Sequence, residues 1–366
     1  MDVNGWWGTH GNDIRRTLFL LFLGQVISFV MSLMSFTSSL LASLGVDTPL
    51  TLSFFVYLAL SLVYGSIFIY RRQKLQVRWY WYLLIGFADV QGNFLVNQAF
   101  QYSSITSVTI LDCWTIAWVI LLTWYFLGTR YSLWQFFGAA VCVAGLGLVL
   151  LSDAGVGGGG GSRPLLGDTF VIMGTLFFAL SNVGEEICVK KKDRVEVITM
   201  MAISGLLVSI CEIAILETKG IASVKWSPEI VREPESAVLT NVTAVFSHLI
   251  NSPFFSQILA FAGFAFAGFL FYTFVPFLLK MSGATLFNLS LLTSDMWAVV
   301  IRIFFYKQEV DWLYYVAFGL VGIGLVVYSK TEKALDSAPA IGDGSQYQIL
   351  DEECRDARND DVGDRS

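Results

Sequence analysis

The sequence is poor in charge. Asp, Glu, Lys and Arg make up 14% of its 366 residues, against roughly 25% in soluble domains. A water-soluble fold could not cover its surface with so few, which leaves lipid as the solvent. Histidine is scarcer still. His10 and His248 are the only two, and both fall outside the apolar runs. No HExxH, Walker-type phosphate loop or GxSxG pattern occurs. Residues for metal-assisted hydrolysis, nucleotide hydrolysis and acyl-enzyme chemistry are therefore missing, and the chain is expected neither to be an enzyme nor to power transport by itself. The five cysteines, Cys113, Cys142, Cys188, Cys211 and Cys354, form no CxxC pair. Four lie in apolar runs and read as small packing residues, without a disulfide framework or a metal site. No cofactor is expected.

What the sequence has instead is apolar surface: 55% of residues are hydrophobic and 15% aromatic. A membrane-crossing helix needs about 20 mostly apolar residues. Ten segments meet that need: 17–43, 49–70, 79–101, 104–127, 131–151, 168–189, 195–216, 257–279, 284–306 and 310–329. The first follows Arg15 and Arg16 and is too long for a signal-peptide core, so it is expected to stay as a span. The expected fold class is an all-α integral membrane protein with ten transmembrane helices. Fourteen Lys and Arg near the span ends fall on the side of the N-terminus and five on the other. By the positive-inside rule both termini are expected in the cytosol.

This layout divides the chain. Residues 1–16 form a cytosolic N-terminus, 17–151 a first set of five helices, and 152–167 a glycine-rich linker loop. Residues 168–329 form a second set of five, interrupted by a long outer loop at 217–256. Asn241-Val-Thr243 in that loop is a sequon on the side that glycosylation requires, which makes Asn241 a candidate site. Residues 330–366 form an acidic tail, expected to be disordered. The net charge of −6 reports that tail and points to no nucleic-acid partner. Tyr347-Gln-Ile-Leu350 within it fits the pattern of a tyrosine-based sorting signal.

The two helical sets resemble each other. Gly145-Leu-Gly-Leu-Val-Leu-Leu-Ser152 matches Gly322-Ile-Gly-Leu-Val-Val-Tyr-Ser329, and Trp118-Val-Ile matches Trp297-Ala-Val upstream. Five is an odd number, so the second set must enter from the opposite face. The expectation is an inverted repeat, an architecture of alternating-access carriers. Ala140, Ala144, Gly145 and Gly147, with Gly319, Gly322 and Gly324, supply small surfaces for close helix approach. They suit packing within the chain or between two copies in a homodimer.

Charge at the centre of a bilayer costs roughly 2.5–3.5 kcal/mol on insertion scales, so buried ionisable residues mark candidate pathways. Asp89, Asn93, Asn97 and Gln101 recur every four residues and share one face of the third span. That stripe favours a helix lining a water-filled cavity over a buried hydrogen-bond network. Thr109, Asp112 and Thr115 recur every three residues in the fourth span. Asn288, Asp295 and Arg302 recur every seven in the ninth. Arg302 can snorkel to the interface or balance a carboxylate or a substrate anion. Asn182, Glu185 and Glu186 sit near the end of the sixth span, where Glu186 can simply pair with Lys190. Asp89, Asp112 and Asp295 form a mid-membrane acidic set suited to proton relay or to holding a cationic group. Trp114, Trp118, Tyr125, Phe287 and Trp297 offer ring faces nearby.

Three runs carry a specific resemblance. They are Gly86-Phe-Ala-Asp-Val-Gln-Gly-Asn93 with Ala99-Phe-Gln-Tyr-Ser-Ser-Ile-Thr-Ser-Val108 and Leu111-Asp-Cys113; Ala179-Leu-Ser-Asn-Val-Gly-Glu-Glu-Ile-Cys-Val-Lys190; and Ser282-Gly-Ala-Thr285 with Asn288-Leu-Ser-Leu-Leu-Thr-Ser-Asp295. They resemble solute carrier family 35, subfamily F, the last run being most similar to plant members. Residues 227–257 depart from that pattern. The resemblance implies the drug/metabolite transporter fold, with ten helices in two inverted five-helix repeats. It implies Asp89, Asn93, Asp112, Asn182, Glu186, Asn288 and Asp295 as cavity residues. It also implies a secondary transporter in an endomembrane or the plasma membrane. The solute it implies is nucleobase- or nucleoside-like or another small polar metabolite; the alternative is nucleotide-sugar antiport in the Golgi or endoplasmic reticulum. A membrane receptor or scaffold is the distant third reading. The expected partners are a small-molecule solute and the lipid bilayer.

Overall fold

The structure, a computed structural model, describes residues 3–43, 48–73, 75, 77–103, 108, 111–153, 163–217, 253–306 and 312–336. Asn241, most of the glycine linker and the acidic tail with Tyr347 lie outside these. The described residues are almost wholly helical. In chain order the helices are α1 (Val3–Ser43), α2 (Pro49–Tyr70), α3 (Trp79–Tyr102), α4 (Trp114–Leu127), α5 (Leu133–Asp153), α6 (Pro164–Lys191) and α7 (Arg194–Glu212). They continue with α8 (Pro253–Met281), α9 (Ala284–Leu291), α10 (Thr293–Tyr306) and α11 (Trp312–Asp336). A π-turn at Ile213–Glu217 extends α7.

The boundaries follow local chemistry. Pro49 and Pro164 open α2 and α6 at positions where a missing N–H costs nothing. Gly128 closes α4 in the left-handed conformation, with φ 66°, which a side chain would oppose. α1 begins well before the span expected from residue 17, and no proline interrupts the preceding stretch. Its membrane-length apolar portion is Ile14–Ser38. Four more helices are long and apolar enough to cross a bilayer: Leu50–Tyr70, Leu165–Lys191, Arg194–Glu217 and Gln257–Met281.

Two expected spans are discontinuous. The fourth is interrupted by a turn at Cys113 before α4 begins. The ninth divides at Leu292 into α9 and α10. Sequence periodicity could not show either break, because both lie in apolar runs without proline.

The helices pack in extensive pairs: α5 with α11, α3 with α6, α1 with α8, and α2 with α7. α4 also packs on α6, and α1 on α9 and α10. The largest core cluster runs through these contacts except that of α2 with α7, and Ile27, Tyr82, Val119, Cys142, Val189, Leu278, Leu286 and Val321 in it are fully enclosed. α2 packs on α7 through Val56, Leu60, Ile198 and Ala202. The outer faces are apolar as well. Phe22, Ile69, Leu84, Leu133, Phe266 and Ile323 are exposed, as lipid rather than water requires. Aromatic residues collect at helix ends: Trp79, Tyr80 and Trp81 open α3, Trp124, Tyr125 and Phe126 close α4, and Trp312 opens α11. Such belts sit at membrane interfaces.

The α5–α11 contact depends on missing side chains. A methyl added at Gly324 would lie 2.7 Å from the Gly138 carbonyl oxygen and 2.9 Å from the Cys142 amide nitrogen. Gly147, Gly319 and Gly322 meet open space instead, so only part of the small-residue pattern serves this contact. Gly324→Val should therefore overpack the pair and lower stability by about 1–3 kcal/mol. The check is the thermal midpoint of the detergent-solubilised protein, against Gly322→Val as the tolerant control.

Candidate functional site

Asp89 is the centre of the best-connected polar cluster. It lies on the inner face of α3 and is 6% exposed. The Tyr57 hydroxyl of α2 donates a short hydrogen bond to Oδ2, and the Tyr272 hydroxyl of α8 donates to the same oxygen at 2.5 Å. The Ser181 hydroxyl of α6 lies 3.5 Å from Oδ1. Four helices thus converge on one carboxyl. The two tyrosine rings lean on each other with centroids 5.7 Å apart. The bare backbone of Gly205 on α7 makes room for the Tyr57 ring, since a methyl there would meet it at 2.8 Å.

Glu185 stands one helical turn beyond Ser181 and is 4% exposed. It borders a narrow cavity with Tyr57, Leu60, Ile198, Met201, Ala202 and Tyr272. Pro276 lies inside α8, one turn after Tyr272. It has no N–H, so the Tyr272 carbonyl lacks its usual helical donor and α8 is locally loosened there.

A second cluster joins α6 to α9. The Asn182 amide donates to Asn288 Oδ1 at 3.1 Å, and the Asn288 amide donates to the Ala284 carbonyl at 2.8 Å. A third lies at the two helix breaks. Asp112 precedes the turn at Cys113, and Asp295 occupies the first turn of α10. The two carboxyls are close enough to act on each other electrostatically, and both are exposed. Just after that first break, the Thr115 hydroxyl and the Trp118 indole N–H are buried without a hydrogen-bond partner among the described residues. Buried donors of this kind are costly unless something accepts from them.

Other expected site residues have different surroundings. Asn93 is half-buried and turns back to the Asp89 carbonyl at 2.9 Å. Asn97 is exposed. The side chain of Arg302 lies outside the described residues. Glu186 is 3% exposed and anchors the start of α9: its carboxylate accepts the Ala284 amide at 2.7 Å and pairs with Lys190 at 2.6 Å. A carboxylate at a helix N-terminus satisfies an orphan N–H and opposes the helix dipole. Gly283, at the cap position with φ 97°, permits that approach.

Sequence reasoning missed Tyr57, Tyr272 and Ser181. A signal existed for the tyrosines: both fall mid-span, away from the interfacial belts, where a phenol needs a buried partner. It also missed Glu217, which caps α2 by accepting the Leu50 and Thr51 amides at 2.6 and 2.9 Å.

Long apolar helices with outward hydrophobic faces and inward carboxyls define a polytopic helical membrane protein. The comparisons with known proteins then narrow the class. The profile of solute carrier family 35, subfamily F (SLC35F), matches residues 13–247 and 246–330. Mouse solute carrier family 35 member F2 is 32% identical over 339 residues, 88% of this chain and 83% of that protein. The Xenopus tropicalis member F2 is 30% identical over 340 residues, 89% of this chain and 80% of the relative. An uncharacterised family 35 member of Schizosaccharomyces pombe is 31% identical over 321 residues, 86% of this chain and 58% of its own. A solved crystal structure superposes with a TM-score of 0.62 at 15% identity, covering 88% of this chain and 99% of the other. That likeness speaks to fold alone. The chain belongs to solute carrier family 35, subfamily F, and is a multi-pass membrane transporter.

Glu186→Gln should weaken the α6–α9 junction, by about 0.5–2 kcal/mol if it follows other lost caps. Thermal unfolding should register that loss. Gly283→Ala should add to it through left-handed strain of about 1–2 kcal/mol.

Proposed function

We propose that this protein moves a small polar organic solute, neutral or cationic and nucleobase- or nucleoside-like in size, by alternating access between two inverted halves. The halves are 17–151 and 168–329, joined by the linker at 152–167, with ten spans and both termini cytosolic. One observation carries the reading. Exchanging the halves maps α1 onto α6, α2 onto α7, α3 onto α8, α4 onto α9–α10, and α5 onto α11. Under that exchange the α3–α6 contact becomes α8–α1, while α2–α7 and α5–α11 map onto themselves. Each of these is an extensive contact. The two interrupted spans are also exchanged, each carrying an aspartate at its break. Interrupted helices at the interface of inverted repeats are where such carriers hold their solutes.

Asp112 and Asp295 are the residues placed to meet the solute, with Thr115 and Trp118 as donors still seeking an acceptor. Asn182 and Asn288 line the junction between the halves. Asp89 and Asn93 belong to the same pathway. Glu186 is assigned to positioning α9. The described site groups are carboxyls, amides and hydroxyls. That chemistry suits a neutral or cationic solute better than the doubly charged diphosphate of a nucleotide sugar.

The test is counterflow in proteoliposomes loaded with pooled nucleosides, nucleobases, nucleotide sugars and thiamine-like cations, read by mass spectrometry. The expected result is selective retention of one uncharged or cationic pool. Asp295→Asn should reduce it about tenfold or more, the effect of losing roughly 1.4 kcal/mol of binding. Retention of nucleotide sugars alone would replace the proposed solute class. Equal retention by wild type and Asp295→Asn would remove Asp295 from the pathway.

A further inference from the structure

The Asp89 cluster contains more acid than solute binding requires. Asp89 already has Tyr57, Tyr272 and Ser181 as hydrogen-bond donors. Glu185 receives no hydrogen bond among the described residues. It is nevertheless 4% exposed, and it lines a cavity with room for about one water molecule. The two carboxyls are near enough to interact. The groups facing the pair from each neighbouring helix are Tyr57 from α2, Tyr272 from α8 and Cys188 from α6 itself. α7 contributes apolar Ile198, Met201 and Ala202 to the cavity wall, and its Glu196 is bonded to Tyr82 instead. No lysine, arginine or histidine among the described residues acts on either carboxyl.

Two adjacent carboxylates without a counter-cation cannot both stay ionised in a dry interior. The tyrosine hydroxyls favour the charge on Asp89 over Glu185, which receives no such bond. We propose that Asp89 and Glu185 form an exchangeable proton site, with the proton bound on a Glu185 carboxyl oxygen and passed to and from the cavity water. Building on the transport reading, this makes the protein a proton-coupled carrier. The cavity walls come from α2 of the first proposed half and from α6, α7 and α8 of the second. A rocking motion of the halves would therefore open and close the proton's route together with the solute's. The loosened α8 backbone at Tyr272 lies where one of the two tyrosine bonds to Asp89 would break.

The first measurement needs no solute. Infrared difference spectra of the reconstituted wild type between acid and alkaline pH should contain the carbonyl stretch of a protonated carboxylic acid, shifted in heavy water. Glu185→Gln should remove that band. Glu185→Asp should move it, and it serves as the variant if the glutamine protein does not fold. Tyr272→Phe should shift the carboxylate bands of Asp89. Identical difference spectra for wild type and the Glu185 variants would overturn the proton site. The second measurement is counterflow of the solute pool with and without an imposed pH gradient. A gradient should raise wild-type accumulation several-fold. Counterflow that ignores the gradient would overturn coupling alone. Absence of counterflow with the infrared band intact would overturn the transport reading and leave the proton site standing.

Discussion

A carboxylate inside a bilayer can share its charge only with neighbouring protein groups or lose it to a proton. Much of this molecule is arranged around that constraint. Asp89 gathers hydroxyls from α2, α6 and α8. Glu186 takes an amide at the start of α9 and a lysine. Glu217 takes two amides at the start of α2, and Glu196 takes the Tyr82 hydroxyl. Each acid therefore ties together elements far apart in sequence. In lipid, where apolar contact between helices gains little over contact with acyl chains, such polar ties and close backbone packing do most of the holding.

The acids then fall into two kinds. Glu186, Glu196 and Glu217 are committed to backbone amides, hydroxyls or an ion pair. Their partners are satisfied, and their role is to position helix ends. Asp112 and Asp295 are exposed and face another acid, and Glu185 borders a cavity beside Asp89. Groups of the second kind lie open to a surface or a cavity, where a solute or ion can reach them. The division is chemical and does not depend on depth: Glu185 and Glu186 are adjacent in the chain and belong to different kinds.

The packing around these groups is paired across the two proposed halves. Close approach of α5 and α11 at Gly138 and Gly324 holds one end of that arrangement. The α3–α6 contact sets Asp89 beside Ser181, and α2, α7 and α8 wall the cavity next to Glu185. The interruptions at Cys113 and Leu292 put helix ends, with their unsatisfied backbone groups, beside Asp112 and Asp295. A helix break inside a membrane is tolerable where it lines a cavity or is enclosed by protein.

The sequence by itself determined the solvent, the helical secondary structure apart from the breaks at Cys113 and Leu292, and the family. Low charge and long apolar runs leave no alternative to membrane helices, and the runs around Asp89, Glu185 and Asp295 are specific enough to carry the resemblance. It also marked most of the polar residues that now cluster, because a carboxyl or amide in an apolar run is visible without knowing its partner. Only the tertiary structure decided which of them work together. Periodicity reports the face of one helix and nothing about the helix opposite. It therefore drew Asp89 and Asn97 into one stripe, although one is buried against tyrosines and the other exposed. It grouped Asn182, Glu185 and Glu186 by position, although they join three different sets of neighbours. It was silent on Tyr57 and Tyr272, whose rings look like ordinary membrane aromatics until their hydroxyls meet on Asp89. Side-chain partnership arises from contacts between distant segments, and those contacts exist only once the helices have packed.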